Sequence, residues 1–74
     1  MKAIWQGDRL LVIRKRQGLT TAALAAKIGC SRPLISMWQK GKATPTGHLL
    51  VMLGIVLNCE PKDFYSFEIE KEGV

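Results

Sequence analysis

Ser31, Arg32 and Pro33 stand at a break between two helical patterns. Before them, "LTTAALAAKIG" reads as helix and stops at Gly29; after them, Leu34, Ile35 and Trp38 resume an apolar spacing of helical period. A serine just ahead of such a run is a helix cap, its hydroxyl accepting from a backbone N–H that has no helical partner. Pro33 then falls in the first turn, where its missing N–H costs nothing. Arg32 is left at the start of the new helix with five N–H donors in a rigid fork. The chemistry on offer is hydrogen bonding to anions or to paired acceptors, without bond making or breaking.

Other chemistries find little material. There is one histidine, His48, with no ligand partner in sequence, which reads as a surface or interface residue. The two cysteines, Cys30 and Cys59, lie in apolar surroundings and read as buried thiols of a reducing cytosol. One His and two distant Cys make no metal quartet. No Ser/His/Asp, Cys/His or paired-carboxylate arrangement is visible, which argues against an enzyme. The longest apolar run, Leu49 to Leu57, is interrupted by Gly54 and falls short of a membrane span. Asp8, Arg9 and Arg14 flank the only short apolar run near the start, which is not a signal-peptide layout. A soluble, cytoplasmic protein without membrane contact is the expectation.

Charge is unevenly spread. Residues 1–45 hold nine Lys/Arg (Lys2, Arg9, Arg14, Lys15, Arg16, Lys27, Arg32, Lys40, Lys42) against Asp8, a net +8. Residues 46–74 hold Lys62 and Lys71 against Glu60, Asp63, Glu68, Glu70 and Glu72, a net −3. A basic front and an acidic tail suit an oriented molecule that presents its first half to a polyanion.

The elements that must position these groups follow from caps and stops. The chain has 74 residues, enough for one small domain over residues 1–74. Helix one is expected at about 8–17, with Asp8 as its cap or first-turn acid and Gly18 as its stop. Helix two starts after Thr20, a good N-cap, pairs Leu24 with Ile28, and ends at Gly29. Helix three runs from the Ser31 cap to Gly41. "KATPT" is a loop, Thr46 caps helix four, and Asn58 is a left-handed terminator after Leu57. A short last helix is expected near Pro61. Beyond it Tyr65, Phe67 and Ile69 alternate with Ser66, Glu68 and Glu70 at strand period. "MKAIW" is also strand material, and the two segments could pair with each other or across a dimer.

Helices two and three, crossing steeply with a three-residue link, need a small side chain at the contact and a residue tolerant of positive φ in the turn. Ala25 and Gly29 meet those needs, with Leu24, Ile28, Cys30, Ile35 and Trp38 beneath the crossing. These requirements coincide in a helix-turn-helix at about residues 21–40. Here "RKRQGLT", "LAAKIGCSRPLIS", "WQKGK" and the Pro45–Thr46 start of the next helix resemble the Cro/C1-type (XRE-like) transcriptional regulators. The resemblance covers about residues 8–64, leaving 65–74 as a tail or strand. It implies an all-α fold, a compact five-helix lambda repressor-like domain, with room for a short strand in the terminal segments. Two positions depart from the family pattern. Thr21 stands where Gln is common, and Gln39 where Glu is common opposite the arginine matching Arg14, so the target rules of relatives do not transfer.

In such a domain the third helix lies in the major groove. That implies base-edge contacts from Ser31, Arg32, Pro33, Ser36 and Met37. Arg32 is the strongest of these, able to donate twice to guanine, though a phosphate contact or a solvated cation would also fit. Met37 could meet a thymine methyl or simply pack at the domain edge. Thr20 and Thr21 at a helix N-terminus, with Lys40, Lys42 and Thr44, would hold phosphates. Arg14 and Gln39 would brace helix three, together with Ala25 and Gly29. Trp38 reads as core; Trp5 either covers the core or stacks in an interface.

Helix four, "HLLVMLGIVL", has more apolar surface than one core stripe of Leu50, Leu53 and Leu57 requires. Val51, Met52, Ile55 and Val56, with Phe67 and Ile69, are the expected dimer interface. The expected function is sequence-specific binding of double-stranded operator DNA by a homodimeric repressor of the phage Cro type. It calls for no cofactor, metal or small-molecule effector. The alternative is a protein-interaction module, an antitoxin or adaptor, on the same fold.

Overall fold

The computed structural model describes residues 1–69. Strand β1 (Lys2–Trp5) leads into α1 (Gly7–Arg16), α2 (Thr21–Ile28), α3 (Arg32–Gln39) and α4 (Gly47–Leu57). A single 3-10 turn, Pro61–Phe64, then delivers strand β2 (Tyr65–Glu68) back to β1. The helices start and stop largely where their caps dictate. Thr20 and Ser31 are both extended and accept from the N–H three residues on, at 3.0 and 3.3 Å. Gly29 closes α2 at φ 83°, and Asn58 closes α4 at φ 54°. Thr46 occupies the cap position of α4, but its hydroxyl makes no capping bond. Asp8 lies inside the first turn of α1, with Gln6 at the cap position.

Leu10, Leu24, Ala25, Ile28, Ile35, Trp38, Leu53, Leu57 and Phe64 form the core. Each helix contributes one stripe to it, as the 3.6-residue period requires. Leu50 of the expected α4 stripe is only half-buried. Met52 and Val56 pack partly against the core, so the apolar surplus of α4 narrows to Val51 and Ile55.

The fold is broadly the all-α helix-turn-helix domain expected, with the short terminal strands allowed for, but it does not have five helices. It has four helices and a two-stranded antiparallel sheet among the described residues. The expected last helix is only the four-residue turn. Pro61 begins it, the Asp63 carboxylate accepts from Glu60 N–H at 2.8 Å, and Tyr65 N–H reaches back only to the Lys62 carbonyl. Four residues do not offset the cost of nucleating an α-helix. Tyr65 onward gains more by pairing: Lys2 faces Glu68, Ala3 faces Phe67, Ile4 faces Ser66 and Trp5 faces Tyr65. The terminal segments thus pair with each other within one chain. Of the expected tail, residues 70–74 lie outside the described residues.

Gly54 shows how closely the chain returns on α4. A Cβ there would stand 2.7 Å from the backbone oxygen of Cys59, whose own N–H donates to the Gly54 carbonyl at 2.9 Å. Alanine normally stabilises a helix over glycine by about 1 kcal/mol. Here the steric cost, about 1–3 kcal/mol, outweighs it. Gly54→Ala is expected to lower stability by up to about 2 kcal/mol in urea unfolding, against the helix-propensity trend.

Candidate nucleic-acid interface

α3 is fixed on one side and free at one end. Ile35 and Trp38 are buried, whereas Ser31, Arg32 and Pro33 at its N-terminus are exposed. Met37 is exposed one turn on, and Ser36 is half-buried. The link from α2 needs Gly29 for its backbone alone: a Cβ there would meet nothing within 4 Å, but φ is +83°. Ala25, 3% exposed, supplies the small contact under the crossing, and its carbonyl accepts from both Gly29 and Cys30 N–H.

The other expected contacts lie on the segments before and after α3. Thr20 is exposed and Thr21 half-buried at the start of α2, where the first backbone N–H groups lack helical partners. Lys40, Lys42 and Thr44 are exposed on the segment after α3. That segment is tied down: Lys42 and Ala43 N–H both donate to the Met37 carbonyl, at 2.9 and 3.3 Å, and Pro45 is fully buried.

The structure brings Arg14 and Gln39 together. Arg14 is 9% exposed; its Nε donates to Gln39 Oε1 and its Nη1 to the Leu19 carbonyl, both at 2.8 Å. A buried guanidinium usually takes a carboxylate, and this one has two neutral acceptors. The reason is visible along the chain, which has no Asp or Glu between Arg9 and Cys59. Among the described residues, Lys15, Arg16, Lys27, Arg32, Lys40 and Lys42 are in no salt bridge. The one pair, Lys62–Glu60 at 3.0 Å, is exposed on the 3-10 turn and contributes little. Its bond to Glu60 pushes the Lys62 pKa up. The carboxylates of the described residues therefore stand at Asp8 and from Glu60 onward, outside the helix-turn-helix and its flanks.

Trp5 was missing from the expected supports of α3. Its Nε1 donates to the Trp38 carbonyl at 2.7 Å. Gly7 abuts the same turn, since a Cβ there would lie 2.4 Å from the carbonyl oxygens of both Trp38 and Gln39. The sequence signal was general: a half-buried indole N–H wants an acceptor, but nothing named which.

Of the expected interface residues, Val51, Ile55, Phe67 and Ile69 are exposed, by 54, 67, 51 and 83%, and Met52 and Val56 are half-buried. Val51 and Ile55 line an open cleft with Gly54, Asn58, Cys59, Glu60 and Pro61. Among the described residues no three His, Cys, Asp or Glu group to hold a metal, and no helix is long and apolar enough to cross a membrane.

Residues 10–64 match the family model described as "Helix-turn-helix". This chain belongs to the helix-turn-helix family, Cro/C1 (XRE-like) type. Among its relatives, repressor protein C2 of Salmonella phage P22 is 34% identical over 68 residues, covering 92% of this chain and 32% of that protein. The HTH-type transcriptional regulator DicA of Escherichia coli K12 is 36% identical over 55 residues, 74% of this chain and 41% of that one. The chain thus spans about a third of the length of the first of these relatives and about two-fifths of the second. In structure it resembles the P22 c2 repressor in complex with synthetic operator 9T, with a TM-score of 0.72 and 34% identity over 74% of this chain and 83% of that one.

Two expectations follow from this helix-turn-helix geometry. Arg14→Lys keeps the charge but cannot span both acceptors, so it is expected to cost about 1–2 kcal/mol in urea unfolding. The thiols give a pH signature. Burial pushes the pKa of Cys30 up, and burial followed by the nearby Asp63 carboxylate pushes that of Cys59 up. Each thiol holds its proton in the folded state at pH values where the unfolded chain releases it. Their contribution is complete below the unfolded pKa and is lost as pH rises through the folded one. Stability relative to the double variant Cys30→Ala/Cys59→Ala should therefore fall as pH rises above the ordinary thiol value of about 8.5, measured by paired urea titrations.

Proposed function

We propose that this chain is a sequence-specific double-stranded DNA-binding regulator, a repressor of the phage type that occupies an operator as a homodimer. One observation carries the reading: the exposed, serine-capped N-terminus of α3, bearing Arg32, lies within a carboxylate-free stretch of chain that presents six cations without ion-pair partners among the described residues. Such a surface attracts a polyanion, and that stretch holds no carboxylate to repel it. α3 enters the major groove, with Arg32 donating to guanine O6 and N7 and Ser31, Pro33, Ser36 and Met37 lining the base edges. Thr20, Thr21, Lys40, Lys42 and Thr44 hold the flanking phosphates. Arg14, Gln39, Ala25 and Gly29 keep α3 at its angle. The relatives, a phage repressor and a repressor in complex with a synthetic operator among them, support the same reading and do not favour an antitoxin or adaptor role.

Val51, Ile55, Phe67 and Ile69 form the dimer surface, with Met52 and Val56 behind them. Two copies related by a two-fold axis set the recognition helices about 34–36 Å apart, one helical turn of DNA. A regulator of this kind works in the cytoplasm on the nucleoid and needs no cofactor.

A binding selection from randomised duplex DNA, at near-physiological salt, tests the reading with Arg32→Ala alongside. An inverted repeat should be enriched, with one G·C position per half-site losing about 1–3 kcal/mol of discrimination in the variant. Absence of any enriched sequence would refute the function, and unchanged preferences in Arg32→Ala would remove that residue from the bases. For the dimer, Ile55→Lys should sediment as a monomer and bind the selected site at least tenfold more weakly, about 1.4 kcal/mol; an unaltered dimer would exclude this face.

A further inference from the structure

Resting on the DNA-binding reading, we propose that Trp5 is a positioning residue for the recognition helix: the terminal sheet holds its indole against the last turn of α3 and so fixes the angle at which Arg32 meets the bases. Trp5 lies outside the family-matched segment, residues 10–64, so the brace is additional to the helix-turn-helix itself.

The contacts run in one direction. At the sheet end, Trp5 packs its ring on Phe64 and on Tyr65, with centroids 5.6 Å away in both cases, and the Tyr65 contact is edge-on. Tyr65 is also its cross-strand partner. The sheet is held to the start of α1 by Gln6 N–H donating to the Phe64 carbonyl at 2.8 Å, by Gln6 Nε2 donating to Ser66 Oγ at 2.9 Å, and by Arg9 Nη1 donating to the Tyr65 carbonyl. The indole therefore has little freedom. At its other edge, Nε1 meets the Trp38 carbonyl.

That carbonyl belongs to the last turn of α3, where C=O groups have no partner within the helix. It accepts from Trp5 at 2.7 Å and from Gly41 N–H at 3.2 Å. Gly7, with no Cβ, lets the start of α1 close on the same turn, and Gln39 on that turn takes the Arg14 bond. These three restraints act at the C-terminal end, whereas Ser31, Arg32 and Pro33 at the other end are exposed beyond the Ile35 anchor. An α-helix rises about 1.5 Å per residue, so an eight-residue helix is about 12 Å long. A rotation of about 5° about the held end then moves the Arg32 end by about 1 Å, beyond the tolerance of a bidentate hydrogen bond. Losing the indole bond should impair base readout more than phosphate binding, because phosphate contacts tolerate such a shift.

The test compares affinities for the selected operator and for a random duplex of equal length at one salt concentration. Trp5→Phe keeps an aromatic ring on Phe64 and Tyr65 but has no N–H to donate. Leu49→Ala is the comparator; it thins the core in α4, which packs on α2 and the 3-10 turn. The expected result is a roughly three- to tenfold fall in the operator-to-random ratio for Trp5→Phe, the size of one hydrogen bond, with random-duplex affinity and the ratio for Leu49→Ala unchanged. An unaltered ratio in Trp5→Phe overturns the inference while leaving the DNA-binding reading intact. An equal fall in both variants also overturns it, since general destabilisation would then suffice. If wild type itself shows no preference, the DNA-binding reading fails and the inference with it. Should Trp5→Phe not fold, β-(3-benzothienyl)alanine at position 5, made by chemical synthesis, keeps the bicyclic ring and replaces N–H with sulfur, and the same outcomes apply.

Discussion

Anchoring an eight-residue helix is the constraint on which this protein depends. A helix of that length does not persist alone in water, because its few hydrogen bonds do not offset nucleation. α3 exists because Ile35 and Trp38 are locked in the core, at 0 and 1% exposure. The other elements serve that anchor. α2 supplies Leu24, Ala25 and Ile28 beneath the crossing, α1 supplies Leu10 and the Arg14 bond, and the terminal sheet supplies the Trp5 indole. The exposed N-terminus of α3 is then held in place without being buried.

Much of this arrangement was legible in the sequence because it rests on local chemistry. Thr20, Ser31, Gly29 and Asn58 mark helix ends by mechanisms confined to a few residues, hydroxyl capping and left-handed backbone. Trp38 shared a stripe with Ile35, and that is enough to place an indole in a core. Thr46 looked like an equivalent cap, yet its hydroxyl makes no such bond, so residue type located that helix start without predicting its contacts. The basic front was equally plain from composition.

What sequence reasoning missed depends on contacts between distant parts of the chain. The Trp5–Trp38 bond joins residues 33 positions apart, and no local pattern selects one carbonyl among many. The fifth helix failed for a related reason. Pro61 and Asp63 are good helix-start residues, and the turn they begin is real. It ends at Phe64 because β1 is available to pair with Tyr65 onward, a competition decided by the far end of the chain. The surplus of α4 was likewise overstated, since Met52 and Val56 find partners that the helical period alone does not reveal.

The neutral acceptor at Gln39 connects the fold to its electrostatics. A carboxylate there would hold Arg14 more strongly, as charge-assisted bonds exceed neutral ones. It would also place a negative charge on α3, on the turn next to Lys40 and Lys42. Between Arg9 and Cys59 the chain has no carboxylate at any position, this one included. Gln39 still gives Arg14 a 2.8 Å bond and leaves its positive charge uncancelled. In an interior of low dielectric that charge is felt further than it would be in water. The brace of α3 is thus weaker in enthalpy than an ion pair, while the stretch from Arg9 to Cys59 keeps charges of one sign. The additional restraint from Trp5 falls on the same turn, where the weaker bond leaves the most to be gained.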